Sequence, residues 1–286
     1  MYHWSSVAER FNSPMNPAAV KSMSSKTMVG VGYRQPLHDW ITTHPPELEC
    51  LEITAEHFFD GASEGLEDLS LEFPIFVHGL GLSIGTPGPL DLSYLKDFRR
   101  VAQAARAQWV SEHIAFTKSS EIDLGHLNPI VPNQSNLDLF VDHAKQVMDF
   151  CSCPLVLENI TTHIQLKGTL SEVTFLNELC DRSGCGLLLD VTNLFINGKN
   201  HGFDPSKWLA DIAPESIVQL HVVGYRRREE KWIDSHGDPI QPDLWELIRL
   251  VASHASPKAV IIERDIDFPA KKQIEQELKT LKSIFE

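Results

Sequence analysis

Short, almost uninterrupted apolar runs recur along the chain, and amphipathic segments separate them. Eight runs rich in Val, Ile and Leu lie at residues 29–33, 48–54, 74–79, 109–113, 154–159, 184–190, 217–224 and 258–264. Continuous apolar runs of this length are typical of parallel strands that are buried on both faces. The pattern therefore predicts eight parallel β-strands.

Segments with apolar positions three and four residues apart lie between these runs. The clearest are residues 93–107, 136–150, 171–182, 243–254 and 270–285. Ser93 and Ser171 are the expected N-caps of two of these helices, and Gly184 is the expected stop after the third. Strands that alternate with helices form right-handed βαβ units, and eight strands favour a closed barrel over an open sheet.

The predicted fold class is therefore α/β, as a single (β/α)₈ TIM barrel. We expect residues 29–286 to form this one catalytic domain, because the chain shows neither an internal repeat nor a low-complexity tract. Residues 1–28 are polar and irregular in pattern, and we expect them to be an N-terminal extension.

The composition restricts the function classes. The chain has 286 residues, 42% of them hydrophobic, and a formal net charge of −14. Such an acidic balance argues against non-specific nucleic-acid binding. No run approaches the roughly 18 apolar residues of a membrane span, and the first residues lack the apolar core of a signal peptide. We therefore expect a cytoplasmic protein, and the five cysteines are expected to be reduced thiols.

Ionisable side chains mark the ends of six consecutive predicted strands. The active site of a (β/α)₈ barrel lies at the C-terminal ends of its strands, so these residues are the first candidates. They are His78, His113, Glu158, Asp190, His221 and Glu263, with Asn193 close behind Asp190. Taken singly, each has a plainer explanation as a packed rim residue or a helix cap.

The plainer explanation is less favoured when all six side chains meet at one barrel mouth. Carboxylates that meet at a narrow barrel mouth would repel one another unless a cation compensates them. Mixed His, Asp and Glu sets are common ligands of zinc, iron and manganese. Asp234 and His236 lie two residues apart in the loop after the seventh strand, where both side chains are expected to point to one side. The sequence thus predicts a multinuclear metal site.

Seven motifs point to a family. Six are FVHG at 76–79, VSEH at 110–113, VLEN at 156–159, GLLLDVTN at 186–193, LHVVG at 220–224 and DSHG at 234–237, and the seventh is the stretch that ends in HGFDP at 201–205. In this order they resemble the DUF692 family, multinuclear non-haem iron-dependent oxidative enzymes that modify ribosomally made peptides. The trinuclear sets of endonuclease IV-like and xylose-isomerase-like barrels are a more distant resemblance.

The resemblance implies a ligand set, cofactors and partners. Its metal ligands would be His78, His113, Glu158, Asp190, Asn193, His221, Asp234, His236 and Glu263. It implies two or three iron ions of mixed Fe²⁺/Fe³⁺ valence and O₂ as co-substrate, with Glu158 and Asp234 as catalytic residues. The substrate would be a cysteine of a ribosomally synthesised precursor peptide. A small partner protein with a leader-peptide recognition fold, bound as a heterodimer, would deliver that peptide.

Two positions depart from the common family pattern. His57 stands where many relatives have Asn, and Arg264 stands where many have Trp. We expect both side chains to line the pocket and to shape the substrate, with ordinary rim packing as the alternative. These departures favour the branch that excises the β-carbon of a C-terminal cysteine as formate, in biosynthesis of the 3-thiaglutamate type.

A short basic run lies between two of the predicted ligands. Arg226 and Arg227 follow His221 in a loop that returns to Asp234, so they are expected to overhang the mouth. Arginine binds carboxylates through two parallel hydrogen bonds, and the pair is therefore a candidate clamp for a peptide carboxylate. The alternative is a solvated loop in which the neighbouring glutamates balance the charge.

Three other functions stay open at this point. A metal-dependent hydrolase or phosphodiesterase of the endonuclease IV type would use the ions to generate hydroxide. The net charge of −14 counts against DNA as its substrate. A sugar isomerase and a non-enzymatic metal store are the remaining alternatives.

Overall fold

A closed parallel barrel of eight strands is the centre of this computed structural model, which describes residues 26–61, 65–119 and 122–286. The strands found there are β1 (Met28–Gly32), β2 (Cys50–Thr54), β3 (Ile75–His78), β4 (Val110–His113), β5 (Phe116–Ser119), β6 (Ile122–Asn128), β7 (Leu155–Glu158), β8 (Gly186–Asp190), β9 (Ile217–Val222), β10 (Gly224–Arg228), β11 (Lys231–Asp238) and β12 (Ala259–Ile262). The barrel order is β1, β2, β3, β4, β7, β8, β9 and β12, and β12 pairs with β1. The predicted TIM barrel is confirmed.

Helices connect the barrel strands. They are α1 (His38–Ile41), α2 (Leu66–Glu72), α3 (Leu92–Ala104), α4 (Gln134–Cys151), α5 (Glu172–Ser183), α6 (Val191–His201), α7 (Pro205–Ala210), α8 (Pro242–His254) and α9 (Lys271–Phe285). All five predicted helices are present, with ends shifted by up to three residues. Sequence analysis missed α1, α2, α6 and α7, which are short or follow a strand directly. Among the described residues no helix has the length and apolar character that a bilayer crossing requires.

The predicted extension at residues 1–28 lies outside the described residues except for its last three. Of these, Met28 already belongs to β1, so the barrel begins one residue earlier than the sequence pattern indicated.

Helix ends follow the expected capping rules, with one correction. Ser171 caps α5 by accepting a hydrogen bond from the Thr174 amide, and Gly184 ends the same helix at a φ of 80°. The expected cap Ser93 is wrong, because the side chain of Asp91 caps α3 by accepting from the amides of residues 93 and 94. A carboxylate at this position also interacts favourably with the positive end of the helix dipole.

Side-chain alternation along the strands divides the barrel interior into two layers. The lower layer is an apolar cluster of Cys50, Phe76, Trp109, Val156, Leu188, Val218, Ala259 and Ile261. In a strand, the residue two positions after a floor residue faces the same side and lies nearer the C-terminal end of the strand. On six strands that residue is Glu52, His78, Ser111, Glu158, Asp190 or Glu263, and all six are buried. The sequence thus alternates an apolar floor with a polar layer at the mouth.

Two antiparallel hairpins, β5–β6 and β10–β11, extend from the same end of the barrel. An aromatic cluster fixes the second hairpin against α6, because the ring of Phe195 stacks on Tyr225 at 5.0 Å and Trp232 packs edge-on against both. Gly224 permits the chain to turn into this hairpin, since a Cβ there would lie 2.0 Å from the carbonyl oxygen of Pro239. The hairpin is therefore a fixed part of the fold.

The correction at α3 can be tested by a pair of variants. Asp91→Ala removes the cap and should lower the free energy of unfolding by about 1 kcal/mol, whereas Ser93→Ala should change it by less than about 0.5 kcal/mol. Urea unfolding followed by circular dichroism measures both. An equal loss in the two variants would contradict the assignment of Asp91 as the cap.

Candidate metal centre

Three groups of ligand atoms lie at the mouth of the barrel, and the ligand atoms of each group are within 4.8 Å of one another. The first is His78, His113 and Glu158, the second is Glu158, Asp190, His221 and Glu263, and the third is His236, Glu263 and Asp265. Glu158 belongs to two groups, and so does Glu263. The three groups therefore form a chain that is linked by two shared carboxylates.

Glu158 presents one oxygen to each of its groups. Its Oε2 lies 3.4 Å from Nε2 of His78 and 3.3 Å from Nε2 of His113. Its Oε1 lies 3.1 Å from Nδ1 of His221. This orientation is what a carboxylate that bridges two ions requires. Glu263 differs, because a single oxygen faces both of its groups: its Oε2 lies 3.1 Å from Nδ1 of His221 and 3.7 Å from Nδ1 of His236.

The residues present fit metal ions, because several of their donor atoms are buried and make no hydrogen bond. Buried side-chain atoms without a hydrogen-bond partner include His78 Nε2, Glu158 Oε2, Asp190 Oδ2, Asp234 Oδ1 and His236 Nδ1. A buried polar atom normally has a partner, since leaving it without one costs about 1–3 kcal/mol. Five such atoms at one mouth are consistent with coordination to cations.

Asp190 combines a structural with a ligand role. Its Oδ1 caps α6 by accepting a 2.6 Å hydrogen bond from the amide of Asn193, and its Oδ2 is free. Burial, together with the charges of Glu158 and Asp234, raises the pKa of Asp190 well above its usual range. A cation between these carboxylates would remove that repulsion.

The histidines are drawn toward their charged forms by the same carboxylates. Burial alone would lower the pKa of His113, but the charge of Glu158 and the carboxylate of Glu112 outweigh it and raise the pKa to about 9. Burial also opposes the charge of His236, yet Glu263 and Asp234 raise its pKa to about 12. Protons and metal ions therefore compete for these imidazoles.

A bulge in β11 places His236. The register pairs Tyr225 with Asp234 but Gly224 with Asp238, so three residues of β11 have no partner on β10. His236 lies in this bulge with a φ of 47°, a conformation uncommon for residues other than glycine. Its carbonyl oxygen accepts a hydrogen bond of 2.8 Å from the amide of Asp265, which helps to hold the conformation.

Regular strand alternation, which the sequence suggested, is therefore not what brings the Asp-x-His pair together. Asp234 and His236 do meet, with Oδ2 and Nε2 2.5 Å apart, but through the bulge rather than through regular strand alternation. The bulge turns Nδ1 of His236 toward Glu263 and Asp265.

Seven of the nine predicted ligands belong to the three groups, and Asn193 and Asp234 lie beside them. The amide oxygen of Asn193 accepts a hydrogen bond from the hydroxyl of Thr161, and its Nδ2 donates to the carbonyl oxygen of Asn159. Asp234 keeps one buried oxygen free. Coordination by both residues stays a prediction.

The predicted substrate residues lie outside the cavity. His57 is exposed, and its neighbour Glu56 lines the cavity instead. Arg264 is 2% exposed and donates to Glu277 of α9 and to the carbonyl oxygen of Asp238. Neither His57 nor Arg264 therefore contacts the predicted ligands. Arg264 can influence the site only through the residues that it contacts.

The two arginines of the expected clamp are engaged by the hairpin and by the loop after β12. Arg226 binds Asp238 through Nε and Asp267 through Nη2, each at 2.6 Å. Arg227 lies over the ring of Trp232 and donates to the carbonyl oxygen of Glu229. Neither contact includes a ligand, and binding of a peptide carboxylate by either residue stays a prediction.

Three carboxylates of the site were missed in the sequence. Glu52 and Glu56 lie on β2 and directly after it, and Asp265 follows Glu263 by two residues. The alternation of Cys50, Glu52 and Thr54 within an otherwise apolar run was the available signal for an inward-facing carboxylate. Glu56 orders the loop after β3 by accepting from the amides of Leu80 and Gly81.

A cavity of about 510 Å³ opens above the ligands. Its wall combines ligand side chains with the apolar side chains of Leu80, Leu127 and Ile160. A second concavity, of about 660 Å³, lies on the other side of the β7–α5 loop and shares Ile160 with the first. The two concavities lie beside each other, and the predicted ligands line the first.

Solved structures place the barrel in a known class. A xylose isomerase domain protein from Planctomyces limnophilus matches with a TM-score of 0.58 at 12% identity, covering 91% of this chain and 97% of that one. Endonuclease IV from Thermus thermophilus matches with a TM-score of 0.55 at 13% identity, covering 90% and 98%. The chain thus shares the (β/α)₈ barrel fold of these structures.

Sequence comparison then identifies the family. Residues 28–286 match the family described as RiPP precursor modification enzyme MbnB/TglH/ChrH, and the chain belongs to it. A UPF0276 protein of Acaryochloris marina is 31% identical over 252 residues, which cover 87% of this chain and 91% of that protein. A UPF0276 protein of Chromobacterium violaceum is also 31% identical, over 89% of this chain and 94% of its own length. The resemblance to DUF692 is confirmed.

The bridging geometry of Glu158 leads to a first prediction for the site. Glu158→Ala removes both oxygens, and the variant should lose at least one metal ion per chain together with all activity. Metal content measured by plasma mass spectrometry tests this. Glu215→Ala, an exposed glutamate just before β9 at the opposite end of the barrel, is the control and should keep its metal. Full metal content in Glu158→Ala would refute the bridge.

Competition between protons and metal leads to a second prediction. Only neutral imidazole binds a metal ion, and His113 is charged below a pKa of about 9. Metal binding should therefore release protons, and the apparent affinity for Zn²⁺ should rise by up to about tenfold per pH unit and per displaced proton between pH 6 and pH 8. Chelator competition at several pH values measures it, and a pH-independent affinity would contradict the ligand role of His113.

Proposed function

We propose that this protein is an iron- and O₂-dependent oxidase that modifies a cysteine of a ribosomally synthesised precursor peptide. Family membership supports peptide modification, and the three linked ligand groups support a multinuclear metal centre. The observation that carries the proposal is the orientation of Glu158, whose two oxygens face different groups of histidines.

The chemistry of the donors supports iron. Imidazole and carboxylate donors bind iron, zinc and manganese. Iron can change its oxidation state, as a reaction with O₂ requires, whereas zinc cannot. Two or three iron ions of mixed valence would be held by the residues of the three groups. They would supply redox chemistry with O₂ and a binding position for a cysteine thiolate. Glu158 would hold two ions together.

The protein's own residues would control the environment of that chemistry. Asp234 keeps a buried, unpartnered oxygen at the cavity, so it is placed to accept a proton from the substrate or to bind an ion. Leu80, Leu127 and Ile160 line the same cavity and would exclude water from the substrate cysteine.

The shape of the surface supports an extended substrate. The cavity over the ligands has about 510 Å³, and the adjoining concavity of about 660 Å³ is separated from it only by the β7–α5 loop. A peptide whose cysteine reaches the ligands would leave its flanking residues in this second concavity. Its wall is largely apolar, with Trp208 and Ile164 on it.

Metal exchange distinguishes this proposal from hydrolysis. The iron-loaded protein should consume O₂ when it is given a cysteine-containing precursor peptide, and the zinc-loaded protein should be folded but inactive, because zinc is redox-silent. An oxygen electrode and mass spectrometry of the peptide measure both. Turnover by the zinc-loaded protein without O₂ would instead establish a hydrolase.

We further propose that a small partner protein delivers the peptide as a heterodimer. The described part of the chain from β1 to α9 is taken up by the barrel and its two hairpins, with no separate leader-recognition domain among these residues. Adding the partner should lower the KM for the full-length precursor while leaving a short cysteine peptide unaffected. Equal KM values for the precursor with and without the partner would refute delivery.

A further inference from the structure

A buried carboxylate inside the barrel contacts the ligand set from behind. Glu52 lies on β2, is 2% exposed, and points into the interior between the apolar floor and the mouth. Its Oε1 lies 2.8 Å from Nε2 of His221. Its Oε2 accepts a hydrogen bond of 2.5 Å from Nε2 of Gln219. Glu52 therefore has both oxygens engaged and belongs to none of the three ligand groups.

Trp109 fixes the orientation of this network. Its indole nitrogen can only donate a hydrogen bond, and it donates to Oε1 of Gln219 at 2.5 Å. The amide oxygen of Gln219 thus faces Trp109, and its NH₂ group must face Glu52. Trp109 in turn is fully buried and stacks on Phe76 at 4.1 Å between ring centroids, so the network rests on the rigid floor of the barrel.

Glu52 faces one nitrogen of His221, and the ligand groups face the other. Both nitrogens of His221 face carboxylates. Nε2 lies 2.8 Å from Oε1 of Glu52 and 3.1 Å from Nε2 of Gln219, and a proton on Nε2 is the arrangement in which Glu52 accepts a hydrogen bond once a metal ion takes Nδ1. In a neutral imidazole the other nitrogen then has a free lone pair. That nitrogen, Nδ1, lies 3.1 Å from both Glu158 and Glu263, on the side of the ligand groups.

We infer that Glu52 is a positioning residue that holds His221 in the Nε2–H form and directs its Nδ1 to a metal ion. The inference rests on the proposed metal-dependent function and deepens it. Carboxylates bound to ligand histidines fix the ring and raise its basicity, and their removal commonly weakens metal binding by about 10–100-fold. Glu52 acts through His221 and does not touch the substrate.

Metal titration of two variants tests this role. Glu52→Gln keeps the size of the side chain but replaces the carboxylate, and it should weaken binding of Co²⁺ to at least one site by about 10–100-fold and shift the visible spectrum of the bound ion. Glu49→Gln is the matched control. Glu49 lies three residues earlier, at the opposite end of β2, where it accepts from the amide of Val29. This control should bind Co²⁺ as the parent does.

A purely structural role of Glu52 gives a different result. Glu52→Gln would then lower the melting temperature of the metal-free protein while its Co²⁺ affinity and spectrum stayed those of the parent, and this outcome would overturn the inference. Absence of metal binding by the parent would overturn both the inference and the proposed function. Normal metal binding without oxidation of any cysteine peptide would overturn only the proposed function.

A measurement on the parent chain keeps the inference testable if Glu52→Gln does not fold. The parent is labelled with ¹⁵N-histidine and loaded with diamagnetic Zn²⁺, and long-range N–H correlation spectra identify the form of each imidazole. The His221 signals are assigned by their loss in His221→Gln. The inference requires a proton on Nε2 of His221 and none on Nδ1, and the reverse pattern would overturn it.

Discussion

Several carboxylates and imidazoles are forced together in a buried space at the mouth of this barrel, and the rest of the site depends on that constraint. Glu158, Asp190 and Glu263 approach His221 closely enough to share one ion. Neutral packing cannot satisfy them, because Glu158 and Asp190 each keep a buried oxygen without a partner. Protonated imidazoles compensate part of this buried negative charge, and metal ions would compensate it where they displace those protons.

Backbone geometry brings these groups together at modest cost. On β3, β7, β8 and β12 the residue two positions after an apolar floor residue is the ligand, so one repeating rule places four ligands. His236 departs from the rule and needs a bulge and a positive φ. Strain of this kind costs on the order of 1–3 kcal/mol and persists where surrounding contacts hold it. Here the contacts are the hydrogen bond from Asp265 and the packing of the hairpin on α6.

The barrel and most of its ligands follow from the sequence because both depend on local patterns. Apolar runs reveal the strands, and His78, Glu158 and Glu263 stand at visible strand ends. The sequence did not predict Glu52 as a site residue, because Glu52 lies within a largely apolar run. Its inward direction is defined only by the closed barrel. The bulge at His236 and the short helix α7 depend on tertiary contacts that no local pattern displays. The direction of Arg264 toward α9 is a tertiary feature of the same kind.

The residues that hold the candidate ligands differ from the residues that are expected to select the substrate. The candidate ligands are held by the barrel floor, by the cap of α6 and by buried carboxylates. Leu80, Leu127 and Ile160 also line the cavity, but their apolar side chains make no hydrogen bond to a ligand. His57 and Arg264 lie outside that lining, and an effect of either residue on the substrate stays a prediction. Selectivity for the peptide is therefore expected from the hairpin β5–β6 and the β7–α5 loop, where side chains can differ without disturbing the three groups of candidate ligands.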